Sequence, residues 1–140
     1  MTFDYKRVYP DLIRPVIPII LRNPIALLPA AVGYEALVDS GSDISIFPAA
    51  LGELIGIDVL AGERMVVGGV VAGAQRPAYV HTIEIQVGGS TGPRFAAPVA
   101  FMPDLSPRGH GLLGRRGFFD RFSFVTFKEA DGLLDIGALS

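Results

Sequence analysis

The chain has 140 residues, a net charge of −2, a hydrophobic content of 50% and a charged content of 19%, which predicts a single domain spanning 1–140 and excludes a disordered polyelectrolyte. The absence of cysteine excludes disulfides, thiolate metal sites and a cysteine nucleophile, and it fits a cytoplasmic protein. Basic residues adjoin only at Lys6-Arg7 and Arg115-Arg116, so no nucleic-acid partner is expected.

Taken in chain order, the N-terminus lacks the apolar core of a secretion signal. The apolar stretch 16–32 is broken by Arg22, Asn23 and three prolines, which argues against a membrane-spanning helix, and no membrane partner is expected. Residues 15–21 read as a strand, at a sheet edge because of Pro18. Residues 27–32 lead to a turn at Gly33, and 34–38 form the next strand. Residues 44–47 alternate as a short strand, Pro48 opens a helix over 49–55, and Gly56 stops it. Arms 64–67 and 78–87 form a hairpin. In the second arm Tyr79, His81, Ile83, Ile85 and Val87 share one face. Gly88 and Gly89 mark a turn, 95–101 is a strand, 115–122 a short helix and 123–127 a strand. Asp131-Gly132 turns the chain into a last strand over 133–136. The fold class expected is all-β, with one or two short helices.

Chemistry concentrates in two segments. In Leu37-Val38-Asp39-Ser40-Gly41-Ser42-Asp43 an apolar strand delivers a carboxylate into a turn, and Gly41 allows the bend. In Gly111-Leu112-Leu113-Gly114-Arg115 a second apolar run ends on a glycine and a cation. His81 and His110 stand alone, so they read as structural residues. No metal site or cofactor is expected.

Together these motifs resemble the retropepsin-like aspartic proteases. The loop matches their active-site loop, Gly68-Gly69-Val70 falls at their flap tip, and Leu112-Leu113-Gly114-Arg115 matches the element that precedes their C-terminal helix. The resemblance covers about residues 15–128 and implies a closed β-barrel carrying a flap hairpin over 64–79. It implies catalysis by Asp39, supported by Ser40, Gly41 and Ser42. Substrate binding falls to Asp43, Gly68, Gly69 and Val70, and bracing to Leu112, Leu113, Gly114 and Arg115. The chain contains one Asp-Ser-Gly and the family's reaction needs two carboxylates, so a homodimer is implied. Its two Asp39 side chains share one proton, and the ionised one activates the water that attacks a peptide or protein substrate. Ser40 is expected to bond across the dimer and Ser42 to donate to Asp39. Asp43 and Arg115 are expected to pair as ions. Val38, Ile44, Val66, Val70 and Val99 are candidates for an apolar pocket. Two further readings compete: a noncatalytic peptide-binding or dimerisation module on the same fold, and a small barrel with an incidental Asp-Ser-Gly turn.

Overall fold

The computed structural model describes residues 1–27, 30–68 and 73–140. Twelve strands and one α-helix are present among them. They are β1 (Thr2–Asp4), β2 (Lys6–Tyr9), β3 (Leu12–Arg14), β4 (Val16–Arg22), β5 (Ala31–Val38), β6 (Ser45–Pro48), α1 (Ala49–Leu54), β7 (Glu63–Val67), β8 (Arg76–Val87), β9 (Arg94–Met102), β10 (Gly111–Leu113), β11 (Val125–Lys128) and β12 (Leu133–Ile136). The fold class is all-β. Six strands run in the order β4-β5-β10-β6-β9-β8 and close on themselves through a β4–β8 pairing, with β7 hydrogen-bonded to the outside of β8. No helix among the described residues is long and apolar enough to cross a membrane.

Alternation explains the barrel wall. Ile17, Ile19 and Leu21 of β4 and Ile83, Ile85 and Val87 of β8 are buried, and they meet Phe47, Phe95, Phe101, Leu113, Phe118 and Phe122 in one core. Fully burying each such side chain contributes about 1.5–3 kcal/mol. A second, smaller cluster of Ile44, Ile46, Ala78 and Ala100 lies beside it, covered by Met65, Val67 and Leu112. This cluster supports the site described below.

Helix α1 follows Pro48 and ends at Gly56, whose φ of 82° is left-handed. Gly56 N–H reaches Glu53 O at 3.0 Å and Ile57 N–H reaches Gly52 O at 2.9 Å, the two bonds of a Schellman cap.

Four expectations need correction. β4 is not an edge strand, because it pairs with β5 along Val16–Arg22 and with β8 from Ile19 onward. Pro18 is tolerated because β8 has ended at that level and only its carbonyl is used, by Gly88 N–H at 2.9 Å. Gly33 is no turn but lies inside β5, opposite Ile20. Residues 115–122 do not form an α-helix, since only Phe119–Arg121 makes a single 3-10 turn. Gly117, at φ 95°, takes the chain out of the right-handed region before a helix can start. The last hairpin pairs Val125–Lys128 with Leu133–Ile136, two residues later than the strand expected from 123. Strands β1, β2 and β3 have no counterpart in the sequence expectations. Their residues carry charge at alternate or adjacent positions, which hides the strand period.

Candidate active site

Asp39 follows directly on β5. The strand end is fastened on two sides: Val38 N–H donates to Pro15 O at 2.9 Å and Asp39 N–H to Leu113 O at 3.0 Å. The loop then closes on itself, with Ser42 N–H donating to Asp39 O at 3.2 Å and Gly41 N–H donating to Asp39 Oδ1 at 2.9 Å. Gly41 is not left-handed. A side chain there would bring its Cβ to 3.2 Å from Asp39 Oδ1, so the glycine leaves the carboxylate its space.

Strand β10 holds this loop from behind. It runs between β5 and β6, parallel to the first (Leu112 opposite Leu37, Leu113 opposite Val38) and antiparallel to the second (Leu112 opposite Ile46). The residues after it continue the contact. Arg115 N–H donates to Ser42 O at 2.8 Å and Arg116 N–H to Asp43 O at 2.9 Å, while Gly114 N–H reaches the buried Ser45 Oγ at 3.0 Å. The approach requires glycine at 114, where a Cβ would lie 2.4 Å from the Ile44 carbonyl carbon and oxygen.

The expected site residues meet as follows. Asp39, Gly41, Ser42, Asp43, Gly68 and Leu112 line one cleft of about 300 Å³, together with Ile44, Ile46, Met65, Val66 and Val67. Ile44 and Val66 therefore reach the cleft, whereas Val38 and Val99 are buried in the core. Ser40 is exposed, and no hydrogen bond of its hydroxyl occurs among the described residues. Ser42 Oγ donates to Ile44 O at 2.7 Å and not to Asp39, whose donor is the Gly41 backbone. Gly69 and Val70 lie outside the described residues. Leu113 and Gly114 are buried behind the loop.

The ion pair expected between Asp43 and Arg115 is not formed. Both side chains are exposed, and the ion pairs among the described residues lie elsewhere. The bracing runs through backbone N–H groups instead, because Arg115 and Arg116 lie beside Ser42 and Asp43 as an extension of the strand pairing.

Two supports escape a reading of the sequence. The Tyr34 hydroxyl donates to Gly109 O at 2.6 Å and accepts from Gly111 N–H at 2.7 Å, tying β5 to the start of β10. Ser45 is fully buried, and its only local signal is a polar residue between Ile44 and Ile46. The histidines anchor loops: His81 Nε2–H donates to Val59 O at 2.8 Å and His110 Nδ1–H to Glu35 O at 3.1 Å. Among the described residues, no group of three or more His, Asp or Glu side chains could hold a metal ion.

A closed barrel threads an apolar strand ending in glycine behind an Asp-Ser-Gly loop, the arrangement that the resemblance to aspartic proteases implied. Residues 31–116 match the aspartyl protease family, and the chain belongs to that family. Among solved structures it is similar to a retropepsin-like aspartic protease from Rickettsia conorii, at 19% identity over 85% of this chain and 89% of that one, with a TM-score of 0.43. No curated protein matches it. The family match supports a protease-type function.

Proposed function

We propose that this chain is an aspartic endopeptidase whose catalytic site is completed by a second copy of itself. The observation that carries the reading is the placement of Asp39. It is a partly exposed carboxylate on a cleft wall, on a loop fastened on both sides, in a chain with one Asp-Ser-Gly.

Two Asp39 carboxylates brought together at a two-fold axis cannot both ionise cheaply, so they hold one proton between them. The ionised carboxylate takes a proton from a water molecule, whose oxygen attacks the peptide carbonyl carbon. The protonated carboxylate gives its proton to the carbonyl oxygen. Collapse of the resulting diol, with a proton delivered to the leaving nitrogen, breaks the C–N bond. The Gly41 N–H directed at Asp39 Oδ1 fixes the orientation of the carboxylate on the cleft wall. Asp43 stands on the same cleft wall, where it can accept a substrate backbone N–H. The β7–β8 hairpin supplies Met65 to Gly68 to the cleft and serves as the cover that excludes water from the bound peptide.

Peptide cleavage by wild-type and Asp39→Asn protein tests the reading. The amide keeps the shape and removes the titrating proton, so a loss of at least ~100-fold in rate is expected with the fold intact. A statine-type transition-state mimic should inhibit the wild type and a chelator should not. Undiminished cleavage by the variant places the chemistry elsewhere. Tight peptide binding with no cleavage by the wild type favours the noncatalytic module.

A further inference from the structure

The connection from β9 to β10, residues 103–110, passes beside the N-terminal hairpin of β2 and β3. Between them lies a second recess of about 380 Å³. Leu37, Leu112 and Tyr9 give it apolar walls, while Arg14, Arg108 and His110 bring polar groups. Leu112 also lines the Asp39 cleft, so one side chain joins the two spaces. Leu37 precedes Asp39 by two positions on an extended strand, a separation of about 7 Å. A peptide lying across Asp39 therefore has a neighbouring side chain within reach of this recess.

The charge in the recess is unbalanced. Neither Arg14 nor Arg108 belongs to an ion pair among the described residues. No acid lines the recess: Glu35 pairs with Lys6, Asp104 pairs with Arg76 at 3.2 Å, and Asp11, at the turn between β2 and β3, is in no ion pair among the described residues and is not part of the lining. The loop that carries Arg108 is also held in place. Arg108 N–H donates to Ser106 Oγ at 3.2 Å, Gly109 O accepts from Tyr34, and the His110 ring is anchored on Glu35 O. Two guanidinium groups at the rim of an aliphatic slot match a carboxylate on a short apolar stem. The stem lies along Leu37 and Leu112, and the carboxylate accepts charge-assisted hydrogen bonds that a neutral side chain cannot match.

We propose that this recess binds an acidic side chain, Glu or Asp, of a substrate residue next to the scissile bond, and that Arg14 and Arg108 determine that specificity. The inference rests on the endopeptidase reading and deepens it.

The test begins with a randomised peptide mixture, which locates cleavable sequences. Matched peptides are then made that carry Glu, Gln or Lys at the positions flanking the cut. A charge-assisted bond of the usual strength favours Glu over Gln by about tenfold in kcat/KM, with Lys poorer than Gln. The double variant Arg14→Gln/Arg108→Gln should bring the Glu-to-Gln ratio below about twofold, and Arg108→Glu should shift the preference toward Lys. A wild-type ratio near one, or a ratio unchanged in the double variant, overturns the proposal while leaving the peptidase reading in place. If nothing is cleaved, that reading fails by itself. The recess is then judged by fluorescence anisotropy, with labelled peptides of one fixed apolar sequence that differ only in a central Glu or Gln titrated onto Asp39→Asn protein. Tighter binding of Glu by about tenfold supports the acidic subsite, and equal binding overturns it.

Discussion

At the scale of single residues, the site depends on atoms that are missing as much as on those present. Gly114 sits where a Cβ would penetrate the Ile44 backbone, which cannot move away without breaking the Arg115 and Arg116 contacts to the loop. Gly114→Ala should lose about 2–3 kcal/mol in chemical denaturation, at the upper end of overpacking costs. Gly33 makes the control: nothing lies within 4 Å of its absent Cβ and its backbone is an ordinary strand. Gly33→Ala should be neutral or stabilise by up to ~1 kcal/mol. Equal losses at the two positions would show that the close approach at Gly114 is unimportant. Asp39 is legible in the sequence because its environment is written locally, as an apolar strand, an acid and a Ser-Gly turn. Ser42 is only half legible. Its proximity to Asp39 is local, but which acceptor its hydroxyl chooses depends on where Ile44 O comes to lie.

At the scale of elements, the joint between β5 and β10 is held by the Tyr34 hydroxyl. Burial raises the Tyr34 pKa, and the donated Gly111 N–H opposes that rise in part. A phenol whose folded pKa lies above its unfolded value contributes stability that is fully present below pH ~10 and lost as pH rises through the folded value. Tyr34→Phe should therefore cost about 1 kcal/mol at neutral pH. The difference in melting temperature between wild type and variant should shrink as pH climbs past 10. A difference that stays constant with pH would mean that the hydroxyl is not the relevant group. The segment after β10 is held by packing. Phe118 touches Phe95, Phe119 and Phe122 with ring centroids 5.2–6.4 Å apart and is fully buried. Phe118→Ala should cost about 3–5 kcal/mol. Arg115→Ala should cost under ~1 kcal/mol in the same denaturation series, because its exposed side chain pairs with no acid among the described residues. A loss above ~3 kcal/mol for Arg115→Ala would restore the buried ion pair that the motif suggested.

At the scale of the molecule, one chain presents one Asp39, and the proposed reaction needs two. A two-fold homodimer is expected in sedimentation at micromolar concentration. A strict monomer that still cleaves peptides would exclude the shared pair of carboxylates. The dimer would carry two cationic recesses, one on either side of the scissile bond, so an acidic preference should appear on both sides of the cut. The sheet β1-β12-β11, with β1 and β11 at its edges, lies outside the closed barrel, and Phe124, Phe127 and Leu139 near it are exposed. It is the surface on which substitutions should first be tried for an effect on assembly.

By itself the sequence determined whatever depends on neighbouring residues. That includes the all-β class from short alternating runs, the Asp39 loop, the hairpin arms of β7 and β8, and α1 between Pro48 and Gly56. These features follow from backbone freedom and side-chain period, which are local properties. Tertiary structure alone decided what depends on residues brought from far along the chain. Pro18 became part of a closed barrel because β8 ends where a donor would have been needed. Gly33 became strand because β4 lay alongside to accept it. The 115–122 segment lost its helix because Gly114 and Gly117 had to follow the backbone of the Asp39 loop and then turn Phe118 into the core. Arg14 and Arg108, 94 positions apart in the sequence, face one recess only because β5 and β10 bring their neighbours side by side. A local pattern states which residues prefer burial or a bend. Partners distant in sequence are chosen by closing the barrel, where every backbone group needs a mate and the core must fill without voids.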